Sequence, residues 1–173
     1  MRPVSFWAST LLVLLLLLAH GAWAGATIVD GSLLGIDEAG LQQLLPTIRK
    51  TAKPAPGPRG VRGLWTLPND MLAGMPFETI FFFRSHKLER IEQRRLVPLG
   101  QCSQQFDYLT SALEMRLGAA VRSSETGTSA PANRSAAWSL EAFRTAAFQM
   151  PSGSACTLML VQEPLDSRDA SSL

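Results

Sequence analysis

Histidine is almost missing from this chain. One of its two copies, His20, sits in the leading apolar segment, which leaves only His86. A Ser-His-Asp relay or a histidine-ligated metal would have to rest on that residue alone, and a polar side chain in a hairpin turn is the simpler reading of it. No Gly-x-Ser-x-Gly elbow and no His-Glu-x-x-His occur, and Ser152-Gly153-Ser154 reads as a turn, so neither a serine-hydrolase nor a zinc-peptidase signature is present. Lysine is scarce: Lys50, Lys53 and Lys87 stand alone, and arginine supplies the rest of 16 basic residues against 14 acidic ones. A formal net charge of +2 is too small for a nucleic-acid footprint or a polybasic membrane anchor. Two cysteines, Cys102 and Cys156, lack the spacing of a metal-ligand set. Neither metal nor organic cofactor is expected.

A single long apolar run opens the chain. Arg2 supplies a positive start, Leu11 to Leu18 a leucine-rich core, and Ala22-Trp23-Ala24 a small-x-small site, which together predict a cleaved signal peptide over residues 1–24. The run is too short for a stable membrane span. Gly25 follows in place of cysteine, so an N-terminal lipid anchor is not expected. Removing residues 1–24 from 173 leaves 149, enough for one domain with a real core. Arginine in place of lysine, with abundant Ala, Gly and Leu, is the habit of a GC-rich bacterial genome, so the expected location is periplasmic or secreted. In that compartment the two cysteines read as a disulfide. The 54-residue separation from Cys102 to Cys156 makes it worth roughly 4 kcal/mol in chain entropy.

Leu41, Leu44, Leu45 and Ile48 recur at helical spacing and predict a short helix, with Asp37 as N-cap, Ile36 as staple and Pro46 as breaker. Lys53 to Gly63, with Pro54, Pro56 and Pro58, reads as an extended loop, and Gly63 to Leu67 as a strand. Phe77 to Arg84 is the clearest β signal. Ser85-His86-Lys87 turns the chain and Leu88 to Arg95 returns antiparallel. Phe81-Phe82-Phe83 puts apolar rings on both faces, which suits a central strand. Ser103 is the predicted N-cap of a second helix, striped by Phe106, Leu109, Leu113 and Leu117 and stopped by Gly118. Residues 119–135 read as a mobile polar loop. Trp138 to Leu140 and Phe143 to Met150 read as strand, and Ala155 to Gln162 alternates Cys156, Leu158 and Leu160 against Thr157, Met159 and Val161. Residues 163–173 read as a flexible tail.

These elements predict a single α+β domain over residues 25–162, an antiparallel sheet with two helices on one face. Halves at residues 33–97 and 102–162 repeat one order: helix, tryptophan-bearing strand (Trp65, then Trp138), hairpin. The unit formed by Gly35-Ile36-Asp37 before its helix, the Trp65 strand, Thr79 to Arg84 and Leu88 to Glu92 resembles the β-lactamase-inhibitor-protein type. It is also similar to the unit of small outer-membrane assembly lipoproteins. The resemblance covers residues 33–162 and implies a non-enzymatic protein that presents a sheet face and loops to another envelope protein. That protein would act as an inhibitor, or as an accessory factor in envelope or secretion-machinery assembly. The chain departs from those families in having no lipid-attachment cysteine and one cysteine pair spanning the second unit.

The candidate partner-binding residues are Ile80, Phe82, Arg84, Arg90, Glu92 and Arg94, since aromatic and arginine side chains concentrate at protein interfaces. Arg90, Glu92 and Arg94 alternate onto one face and predict that it meets solvent. Leu88 and Ile91 have opposite parity, so the register stays open. Glu89 and Glu92 fall on opposite faces of a regular strand and do not converge as a glycosidase pair, leaving a small hydrolase as a minor alternative. Gly57 to Gly63 lacks the Lys-Ser/Thr of a phosphate loop, and Asn133-Arg134-Ser135 reads as a chance glycosylation match.

Overall fold

Asp37 starts the first helix. Its carboxylate accepts the Gly40 N–H at 2.8 Å, and helix α1 runs Glu38–Leu44. Seven residues cannot hold a helix in water, so tertiary contact must. Leu41, Leu45 and Ile48 supply it by packing on Phe81, Phe83, Leu88 and Ile91. Leu44, expected in the same stripe, is 52% exposed. The helix is too short for a broad buried face, and Leu45 and Ile48 reach the core through the turn that follows.

The computed structural model describes residues 30–124 and 132–165, so the expected signal peptide and most of the expected tail lie outside it. The chain is α+β. Helices α1 and α2 (Cys102–Leu117) each precede four strands, and the eight strands form one antiparallel sheet in the order β1-β2-β3-β4-β8-β7-β6-β5. Strand β1 (Arg49–Pro56) corrects the loop reading of residues 53–63. It lies at the sheet edge, where a proline can leave one side of the ladder unpaired, and its register slips between Lys50 and Ala55 around Pro54. After a 3₁₀ turn at Pro58–Gly60, β2 runs Arg62–Leu72.

Strands β3 (Met75–Arg84) and β4 (Lys87–Pro98) form the predicted hairpin. Ser85 and His86 both take positive φ, 48° and 63°, the two-residue turn whose twist matches the strands it joins. Phe82 faces Arg90 while Phe83 faces Leu88, so Glu89 is the extra residue of a bulge. That bulge resolves the parity conflict: Leu88 and Ile91 are both fully buried in the cluster around α1.

The second helix begins at Cys102 without a side-chain cap, and Ser103 falls inside its first turn. A 3₁₀ turn at Leu99–Gln101 and the Cys102–Cys156 disulfide, with Cα atoms 5.7 Å apart, set this start in place of the expected serine. Phe106, Leu109 and Leu113 pack on Trp138, Ala147, Leu158 and Leu160. Gly118 caps the end with φ 86°. Residues 119–135 are not all loop: β5 (Val121–Ser124) pairs with β6 (Arg134–Ser139), although residues 125–131 lie outside the described part. Strands β7 (Phe143–Ser152) and β8 (Ala155–Pro164) complete the sheet, and β4 joins β8 at its centre from Ile91↔Gln162 to Pro98↔Ala155. Each of the two described tryptophans ties its strand to the neighbouring helix. Trp65 Nε1 donates to Glu38 Oε2 on α1, and Trp138 Nε1 donates to the Gly118 carbonyl after α2, both at 2.9 Å.

Candidate functional face and cleft

Residues directly opposed across antiparallel strands share a face. Ile80, Glu92, Val161, Ala146, Ala137 and Val121 therefore form one transverse row, with Glu78, Arg94, Met159, Phe148, Ser135 and Ser123 forming the next. Phe82 pairs with Arg90 on the same side. Five of the six predicted residues thus share a face. Arg84 sits at the strand end, where it pairs with Glu89 at 2.5 Å and donates to the Arg59 carbonyl.

Solvent does not reach most of them. Ile80 is 9% exposed, Phe82 1% and Glu92 3%, which corrects the expectation that this stretch of strand faces water. The cover is the β1–β2 hairpin, whose Val61 and Ala55 pack on Ile80 and Phe82. Glycine makes the approach possible. A Cβ on Gly63 would lie 2.8 Å from Ile80 Cγ2, and one on Gly57 would lie 2.8 Å from the Phe82 ring. Gly63→Ala should therefore cost about 1–3 kcal/mol through overpacking. A urea titration against the parent chain checks this, and an unchanged midpoint would mean the hairpin is free to lift.

The charges on this face are bound to one another. Glu92 accepts Arg90 Nε at 2.6 Å through Oε1 and Arg94 Nη2 through Oε2. Glu163 accepts Arg90 Nη1 at 2.9 Å and Arg59 Nη2 at 3.1 Å through Oε2, and Arg144 Nη2 at 2.5 Å through Oε1. Arg90 thus bridges two carboxylates, its side chain only 15% exposed. Four arginines meet two glutamates, so the network is net positive. Arg59, Arg144 and Glu163 were missed in the sequence. Glu163 continues the Thr157, Met159, Val161 alternation one step past the predicted strand end, and that was the available signal. Arg59 and Arg144 lie on other segments, and only the fold brings them in.

Next to the network lies a cleft of about 690 Å³, lined among others by Arg59, Arg84, Lys87, Arg90, Phe143 and Glu163. Its wall includes the segment before α1, pinned to β4 because Gly35 N–H donates to the Leu88 carbonyl and Leu88 N–H to that of Ile36. Toward the second half the same sheet face becomes apolar and open. Leu96, which shares the parity of Glu92 and Arg94, is 73% exposed and Val121 is 80% exposed, with Phe148 and Met159 half-buried between.

His86 lies at the turn with its side chain 90% exposed, 3.9 Å from Glu38. Glu89 and Glu92 are committed to different arginines. Among the described residues no group of three or more His, Cys, Asp or Glu side chains gathers as a metal site, and no helix is long and apolar enough to cross a membrane. The chain matches no family model, no curated protein and no solved structure. The geometry of the face and cleft is therefore the basis for any functional reading.

Proposed function

We propose that this is an exported, periplasmic, non-enzymatic binding module that engages another envelope protein through the open side of its sheet. The observation that carries this reading is a sheet face that runs from the exposed Leu96, beside Arg94 on β4, across Met159 and Phe148 to the exposed Val121 on the edge strand β5. Large apolar side chains with arginine next to them are what interfaces collect. Helices on one face are supported by strand β3: its alternate residues Phe77, Phe81 and Phe83 enter the clusters around α2 and α1, while Ile80 and Phe82 enter neither. A tandem repeat is supported by the twice-used order of helix and four strands, the mirrored strand order, and the two tryptophans on the second strand of each half. That arrangement is similar to the paired units of the β-lactamase-inhibitor-protein type. The bridged cysteines fit an oxidising compartment.

Placing a photo-crosslinking amino acid at Leu96 or Val121 in living cells should capture a discrete protein partner. The same group at Met115, 84% exposed on α2, should not. Leu96→Asp should abolish capture from Val121 while leaving stability within about 0.5 kcal/mol, as an exposed substitution does. Equal capture from Met115 would overturn the reading. The identity of the captured protein separates inhibition from assembly.

A further inference from the structure

We infer that the cleft beside the arginine network receives carboxylate side chains from an acidic segment of the partner. This rests on the protein-binding reading above and names the chemistry of the partner where that face ends, at the strand ends beside the segment before α1.

Positive charge gathers in this cleft. Among the described residues the cleft lining carries Arg59, Arg84, Lys87 and Arg90 against Glu89 and Glu163, a surplus of two. The whole sequence has a formal net charge of only +2, Arg2 of the expected leader included, so this one concavity is at least as positive as the molecule. A concave wall of low dielectric concentrates such a field and draws oppositely charged groups to it.

The charged wall is also preorganised. Arg90 is held by Glu92 and Glu163, and Glu163 in turn by three guanidinium groups, so Arg90 and Glu163, both largely enclosed, are tied in place by ion pairs. An incoming carboxylate need not order them, which removes much of the usual cost of binding. The apolar part of the wall is equally fixed. The Phe143 ring lies directly on Gly31, where a Cβ would come within 2.2 Å of it.

Size and sign select the occupant. About 690 Å³ has room for several side chains and not merely one ion. Glu89 and Glu163 share the lining, so a compact dianion such as phosphate would meet two carboxylates at close range. A peptide can instead space single charges along its length and set an apolar side chain between them on Phe143.

The test uses the full mature chain and a labelled peptide of alternating Leu and Glu, with its Leu-Gln counterpart, followed by fluorescence anisotropy. The Glu peptide should bind at least about tenfold more tightly than the Gln peptide, the value of a charge-assisted hydrogen bond or two. Its affinity should fall as salt rises from about 50 to about 300 mM, because screening shortens the reach of the field. Lys87→Ala and Arg84→Ala should each weaken it several-fold, with Met115→Ala as the unaffected control. Equal binding of both peptides, or no loss in the two cleft variants, overturns the inference. So does displacement by inorganic phosphate that exceeds displacement by acetate at matched ionic strength, which would make the cleft a phosphate site. Capture through Leu96 in a chain that binds no acidic peptide would remove this inference and leave the face reading standing; peptide binding without capture would do the reverse.

Discussion

Replacing Cys102 and Cys156 together with alanine is expected to lower the unfolding free energy by about 4 kcal/mol. The bridge spans a separation of 54 residues, and that stretch carries α2 and β5 to β7. Without it the unfolded chain regains the freedom of the whole loop. The native state loses little in exchange, since both cysteines are fully buried and alanine leaves small voids. At about 2–4 °C per kcal/mol for a chain of this size, the thermal midpoint should fall by roughly 10 °C. Urea titrations of the oxidised parent and the double variant measure this directly. A loss under about 1 kcal/mol would place the constraint elsewhere, in a denatured state that is already compact.

Glu92→Gln should cost about 3 kcal/mol, at the lower end for breaking a buried ion pair. The substitution keeps the size of the side chain and removes only its charge, leaving Arg90 and Arg94 to face a neutral amide in a site 3% exposed. Replacing Glu92 with methionine and Arg90 with leucine together should be milder per residue, because no charge is then stranded between the two. Equilibrium unfolding of the single and paired variants separates these outcomes. If Glu92→Gln changes nothing, water reaches the network and the hairpin cover is not closed in solution.

The hydrophobic pattern made much of this fold legible. Asp37 and the leucines after it announced α1, Phe77 to Arg84 with Leu88 to Arg95 announced the β3–β4 hairpin, and the Cys156, Leu158, Leu160 alternation announced β8. The misses share a physical cause. Strands β1 and β5 are edge strands made of prolines, charges and serines, and they are strands because β2 and β6 offer ladders, not because of their own side chains. The candidate site was half legible for a related reason. Alternation alone put Arg90, Glu92 and Arg94 on one face, but it left their register against Ile80 and Phe82 open, and the burial of this face depends on Gly57 and Gly63 letting another hairpin settle over it, which no local pattern encodes. Arg90 was read as solvated because charge along one strand says nothing about Glu163, which lies 73 residues away in sequence.

The pairing of β4 with β8 sets an order on how the molecule can be finished. Strand β8 is the last described segment of the chain, yet it fills the middle of the sheet. A chain emerging N-terminus first can build β1 to β4 and then must wait, with the whole rim of β4 from Ile91 to Pro98 unsatisfied, until β8 arrives. During that interval the first half carries an open strand edge that any other extended chain could occupy. Premature termination anywhere before Ala155 would make the interval permanent, so a truncated product should associate through β4, where the longer chain has that rim sealed by its own β8.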